Sequence, residues 1–297
     1  LKNRLFILKI ILTIIVVIYL IDSIGLKNTY NTLIIGNMGY FIFACMLAPL
    51  FICIKTLKWH LMIHNAGAKE DFSTSFNAML SGLGFGIFTP ARAGEIMRIK
   101  YYKSVEKITL GGLVIIDRII DIITILLLGI YFVLVQFGIL SALSLLFICI
   151  FSLLMLGPLM NSYKLLPNKW KSKKLYVFLE KIGYGSNVLK LKNFSVLVIV
   201  SVFNWLLITL QFYFILNMYS SCNYSVALGS LPVIQLSNLI PVTIAGIGIR
   251  EYLSVLVLQL YDVPNQIAAI SAFFLFIIDI FIPGIIGLLL FGFRRNH

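Results

Sequence analysis

Ser81–Lys103, SGLGFGIFTPARAGEIMRIKYYK, is the stretch whose reading decides the fold. It starts as an apolar, glycine-rich membrane segment, breaks at Thr89-Pro90, and resumes as a helix carrying Arg92, Glu95 and Arg98. Thr89 suits the N-cap, and Pro90 suits the first helical position, where its missing N–H forfeits nothing. A helix that begins part-way through a bilayer directs bare N–H groups and a positive dipole end at whatever lies at that depth, an arrangement that attracts anions. Asn238–Leu253, NLIPVTIAGIGIREYL, repeats the device: an apolar segment breaks and restarts beside Arg250 and Glu251. Two interrupted apolar segments in corresponding halves of a chain are the sequence pattern of a transport site.

Of the 297 residues, 60% are hydrophobic and 12% charged, where soluble domains carry about 25% charged residues. Several apolar runs reach the ~18 residues of a transmembrane helix. The chain therefore reads as an all-α polytopic membrane protein, with residues 1–297 forming a single transmembrane domain. Its net charge of +13 lies in the loops. That is the positive-inside pattern, reinforced by attraction to anionic lipid, so nucleic acid is not expected as a partner. Cys45, Cys53, Cys149 and Cys222 are scattered without a CxxC, and no metal or other cofactor is expected. His60 and His64 have chelating i, i+4 spacing but no third ligand. Beside Lys58 and Trp59 they read as an interfacial belt.

Charge bookkeeping sets the topology. The first span, about Leu5–Ile21, reads as retained and starts in the cytoplasm beside Lys2, Arg4 and Lys9. The second, about Leu33–Ile54, returns to Lys55, Lys58 and Lys69. Phe72–Lys103 is basic at both flanks, so it is expected to enter and leave on one side as a re-entrant hairpin, with its irregular backbone sheltered by protein or a water-filled cavity. Spans follow at about Leu110–Gln136 and Ile139–Met160. The loop Asn161–Asn193 holds eight lysines against one glutamate, with an amphipathic surface helix expected over Lys173–Leu191. Phe194–Met218 leads to a second hairpin, about Tyr224–Tyr261, and Gln266–Phe291 is the last span. The sum is six full spans and two broken-helix hairpins, with both termini cytoplasmic and the chain in the cell membrane; a count in which each hairpin crosses fully as two spans fits the charges after Met218 equally well and those at Phe72–Lys103 less well. The two span–hairpin–span units, about 33–136 and 194–291, have opposite orientation and form an inverted repeat.

Charge at the bilayer centre costs at least a few kcal/mol, so charged residues at that depth mark functional cavities. Arg92, Glu95, Arg98, Gly246, Gly248, Arg250 and Glu251 are the candidate substrate-binding residues. Asp117, Arg118, Asp121 and Asp279 are the candidates for ion pairing or proton coupling. Asp117 and Asp121 share a helix face, and Arg118 is placed to neutralise part of it. Simpler readings exist for several. Arg98 can snorkel to the interface, the Asp117–Arg118–Asp121 group can brace the hairpin, and Asp279 can cap backbone freed by Pro283.

These motifs together resemble the lysylphosphatidylglycerol synthase transmembrane-region family, the flippase-like domain of the multiple peptide resistance factor. The family's P-G-R-x-G-E-x-x-R is similar to Pro90-Ala91-Arg92-Ala93-Gly94-Glu95-Ile96-Met97-Arg98. Its P-G-G-x-G-x-R-E is similar to Ile244-Ala245-Gly246-Ile247-Gly248-Ile249-Arg250-Glu251, and its acidic-Arg-x-x-Asp to Asp117-Arg118-Ile119-Ile120-Asp121. Ala91 and Ala245 stand where the family has glycines, and Ile244 where it has proline. The resemblance implies translocation of an anionic or aminoacylated phospholipid or a lipid-linked sugar, and does not itself imply lysyl transfer. Two other readings stand beside it: a glycosyl- or aminoacyl-transferase acting on a lipid acceptor, and a non-transporting partner of a separate lipid-modifying enzyme. A homodimer is compatible with each.

Overall fold

The computed structural model describes residues 36–161, 180, 183–185, 191–239 and 243–295. The first expected span and most of the lysine-rich loop lie outside the described residues. The described chain is all-α, as expected. Its helices are α1 (Met38–Asn65), α2 (Phe72–Ile87), α3 (Lys107–Phe137), α4 (Ile139–Asn161), α5 (Leu191–Asn217), α6 (Tyr224–Gln235), α7 (Ile249–Leu258), α8 (Asn265–Phe276) and α9 (Ile282–Arg295). A 3-10 segment, Pro90–Tyr101, follows α2, and a π-helical turn, Ile277–Phe281, joins α8 to α9. Among the described residues, four stretches are long and apolar enough to cross a membrane: Met38–Asn65, Lys107–Phe137, Phe194–Asn217 and Asn265–Phe293.

Both breaks exist. Helix α2 ends at Ile87, and the chain resumes in the tighter 3-10 geometry in place of the α-helix expected there. Thr89 still caps: its hydroxyl accepts the Gly94 amide at 2.6 Å, further along than an N-cap usually reaches, and donates back to the Phe85 carbonyl. The tight turn needs Gly94, because a Cβ there would collide with the Phe85 carbonyl. At 1.5 Å per residue, α6 and α7 are about 18 and 15 Å long, too short to cross ~30 Å of hydrocarbon singly. They pack against each other as the two arms of the second hairpin.

The chain divides into two compact units. Unit one comprises residues up to Ile52, Leu80–Glu95 and Leu206–His297. Within it, α2 and α9 approach to backbone contact. A Cβ on Gly84 would strike the Gly284 carbonyl, and one on Gly287 would strike Leu80. Ser81 donates to the Gly287 carbonyl at 3.0 Å. Small residues of this kind let membrane helices pack closely where no hydrophobic effect drives them together. Ile87, at the first break, joins Ala245, at the second, in one apolar cluster with Phe276 and Ile280.

Unit two comprises Cys53–Met79 and Ile96–Trp205. Here the mouth of the first hairpin is tied shut. Glu70, just before α2, accepts the Lys103 amide at 2.9 Å, the Ser104 amide at 3.2 Å and the Ser104 hydroxyl at 2.5 Å. The two ends of this segment thus meet on one carboxylate.

One boundary is corrected. Helix α1 runs on to Asn65, past the expected end at Ile54. Lys55 and Lys58 are therefore buried helix residues, not loop cations, and Trp59 is fully buried, not part of an interfacial belt. The cause is the apolar face Trp59-Met62-Ile63, spaced i, i+3, i+4, all of it at 0% exposure.

Candidate functional site

In unit two, the shared face of Asp117 and Asp121 on α3 meets cations. Lys58 Nζ contacts Asp117 at 2.8 Å and also bonds Asp121. Arg98 Nη2 contacts the other Asp117 oxygen at 2.8 Å. Ser201 donates to Asp121 at 3.0 Å. The Arg98 guanidinium lies 3.7 Å from the centre of the Trp59 ring and is fully buried, so it does not snorkel. Two cations face two carboxylates, and the set is electrically balanced. Its described contacts to the carboxylates come from Lys58, Arg98 and Ser201. Lys58 is the member that sequence reasoning missed. Its signal was the uninterrupted helical periodicity through Trp59, Met62 and Ile63.

Unit one holds the second break. Three torsions there are left-handed: Ala245 (φ 55°), Gly246 (φ 76°) and Gly248 (φ 87°). They turn the chain so that α7 restarts with Arg250 and Glu251 in its first turn. The Glu251 carboxylate accepts the Gly248 amide at 2.5 Å, satisfying one bare donor of the helix start. Arg250 is buried, with Nη2 donating to the Ala245 carbonyl at 2.6 Å and its guanidinium 4.7 Å from the centre of the Phe276 ring. Among the described residues its Nε has no hydrogen-bond partner, and neither do Ser237 Oγ, Asn238 Oδ1, Thr243 Oγ1 or Glu251 Oε1. Gly246 sits between two of these residues: a Cβ on it would lie 3.2 Å from Arg250 Nη2 and 3.8 Å from Asn238 Oδ1.

Asp279 is buried in the π-helical turn and accepts Gln211 Nε2 of α5 at 2.8 Å. Both Asp279 and Glu251 act on the Arg250 charge. Arg92 and Glu95 lie in unit one at the tip of the first hairpin, Arg92 with a left-handed φ of 54°. The candidates thus fall into two groups. Arg98, Asp117 and Asp121 belong to the balanced ion cluster. Gly246, Gly248, Arg250, Glu251 and Asp279 surround the second break. Ser237, Asn238, Thr243 and Gln211 were not legible as site residues, because an uncharged polar residue in an apolar helix carries little signal.

A buried polar group without a partner costs about 1–3 kcal/mol. A group of them around an arginine, which stays charged at any depth, has the chemistry to receive a ligand that accepts from the guanidinium and hydroxyls.

Residues 6–287 match the sequence profile of a family described as "Lysylphosphatidylglycerol synthase TM region". A curated relative, "UPF0104 membrane protein MJ1595" of Methanocaldococcus jannaschii, is 24% identical over 310 residues, covering 93% of this chain and 91% of the relative.

Proposed function

The chain belongs to the lysylphosphatidylglycerol synthase transmembrane-region family, and on that premise we propose that it moves a lipid with an anionic headgroup across the cytoplasmic membrane. The headgroup binds at the second break, where Arg250 supplies the charge and Ser237, Asn238 and Thr243 supply hydrogen bonds. The observation that carries this reading is the buried Arg250 Nε with no partner among the described residues, with Asn238, whose Oδ1 is also unbonded, close by across Gly246. Burial of such groups is unfavourable unless they are hydrogen-bonded, and a bound headgroup would complete them. The positive end of α7 adds to the attraction. Alternating exposure of the site by the two oppositely oriented repeats would carry the headgroup through, and the lysine-rich cytoplasmic loops would gather anionic lipid at the membrane surface.

The balanced cluster of Lys58, Arg98, Asp117 and Asp121 has a different part in this reading. Within unit two it ties α1, the 3-10 arm of the first hairpin and α3 together.

The test is leaflet exchange of a fluorescent phosphatidylglycerol in vesicles containing the purified protein, read by quenching of the outer leaflet. Wild-type protein should accelerate exchange and Arg250→Gln should not. Equal rates for the two, or no acceleration by wild type, contradict the proposal.

A further inference from the structure

At the second break, donors and acceptors do not balance. Among the described residues, the unbonded buried atoms there include a nitrogen that only donates, Arg250 Nε, and two oxygens that only accept, Asn238 Oδ1 and Glu251 Oε1. Asn238 stands in the 3-10 turn Leu236–Leu239, before the break. Its amide nitrogen is committed elsewhere: Nδ2 donates to Gln235 Oε1 at 2.5 Å, which leaves the oxygen for the site. That oxygen and the Arg250 guanidinium flank one glycine. A Cβ on Gly246 would lie 3.8 Å from Asn238 Oδ1 and 3.2 Å from Arg250 Nη2, so glycine keeps the approach between acceptor and donor clear. Glu251 Oε1 belongs to the carboxylate whose other oxygen accepts the Gly248 amide.

An anion that only accepts would satisfy Arg250 and leave the Asn238 oxygen buried and unpaired. Resting on the headgroup site proposed above, we infer that Asn238 is a specificity-determining residue: its Oδ1 accepts from a hydroxyl carried beside the headgroup phosphate. The site then selects phosphodiesters that bear a polyol, glycerol or sugar, over phosphodiesters of equal charge that have no donor. Charge decides what kind of donor this is. An ammonium group would cancel the negative charge that draws the headgroup to Arg250, whereas a hydroxyl donates and leaves that charge intact. Selection by a buried acceptor is effective because the wrong ligand does more than forgo a contact: it shuts a polar atom away from water with nothing to bond. Arg250 thus sets the affinity for any phosphodiester, and Asn238 sets which one is held. Glu251 Oε1 is a second acceptor for a further hydroxyl of the same polyol.

The experiment titrates the detergent-purified full chain with dihexanoyl phosphatidylglycerol and with dihexanoyl phosphatidylmethanol, and reads both affinities by calorimetry. The probes share acyl chains and net charge, but only the first has headgroup hydroxyls. Wild type should bind the phosphatidylglycerol about tenfold more tightly. Asn238→Leu should bring the two affinities together, whereas loss of a merely structural residue would weaken both alike and keep their ratio. Equal affinities in wild type, or an unchanged ratio in Asn238→Leu, overturn the inference while leaving the headgroup site standing. Failure of wild type to bind either probe overturns both. If Asn238→Leu does not fold, Gln235→Leu serves: it removes the acceptor that holds the Asn238 nitrogen, so the ratio should fall, and an unchanged ratio overturns the inference. Dihexanoyl phosphatidylinositol, as a third probe, separates the polyols. Tighter binding than phosphatidylglycerol supports a sugar-like headgroup, weaker binding supports glycerol, and binding no tighter than phosphatidylmethanol by both polyol lipids overturns the inference.

Discussion

Lys58 Nζ lies 2.8 Å from Asp117 Oδ1, with both side chains closed off from solvent, and Arg98 holds the other oxygen of the same carboxylate. This ties α1, the 3-10 arm of the first hairpin and α3 into one unit. Two buried cations on two carboxylates tolerate removal of neither sign alone. Lys58→Met should cost about 3–5 kcal/mol, because it leaves Asp121 with only the Ser201 hydroxyl. Adding Asp121→Asn to Lys58→Met should recover part of that loss. Thermal unfolding of the three proteins in detergent checks it, and strictly additive losses would contradict the pairing.

Gly94→Ala should destabilise the first hairpin by about 1–3 kcal/mol, since the added methyl meets the Phe85 backbone carbonyl, which cannot swing away. It should also break the bond from the Gly94 amide to Thr89. A melting temperature equal to wild type would show that the turn is looser than described.

Ala245→Gly should have the opposite sign. Ala245 has a left-handed φ of 55°, a conformation that costs a residue with a Cβ roughly 1 kcal/mol and glycine almost nothing. The substitution restores the residue found in the family pattern and should raise stability by up to about 1 kcal/mol. Its effect is measured by denaturation of the purified protein.

Glu70 sets the pH range of the hairpin mouth. Burial opposes its charged form, but hydrogen bonds from the Ser104 hydroxyl and from the Lys103 and Ser104 amides outweigh this and bring its carboxyl from 4.5 down to about 2. A lowered value in the folded protein means stabilisation that is complete above about pH 4.5 and is lost as pH falls toward 2. Hydrogen exchange at the Lys103 and Ser104 amides should therefore be slow at pH 7, with protection falling away below pH ~4. Glu70→Gln should weaken protection of both amides already at pH 7.

Much of this was legible in the sequence, because breaks and charges in apolar helices are loud signals. Thr89-Pro90 and Gly246-Ile247-Gly248 marked both interruptions, and the i, i+4 spacing of Asp117 and Asp121 marked a shared face. What they face was not legible. Lys58 looked like a loop cation, since the positive-inside rule counts lysines without knowing whether a helix continues beneath them. The helix continues because Trp59, Met62 and Ile63 find a fully buried seat, which is tertiary information. Ser237, Thr243 and Gln211 were silent for a related reason: a single hydroxyl or amide barely alters hydropathy, and only its buried surroundings in the fold single it out. The left-handed torsions at Arg92 and Ala245 likewise defy local preference, since neither residue type favours them.

Native mass spectrometry of the gently purified full chain, wild type beside Arg250→Gln, tests the headgroup site most directly. The expected result is a discrete anionic lipid retained by wild type and lost from Arg250→Gln, with both proteins equally folded. Equal retention of the same lipid by both would contradict an anion site at Arg250.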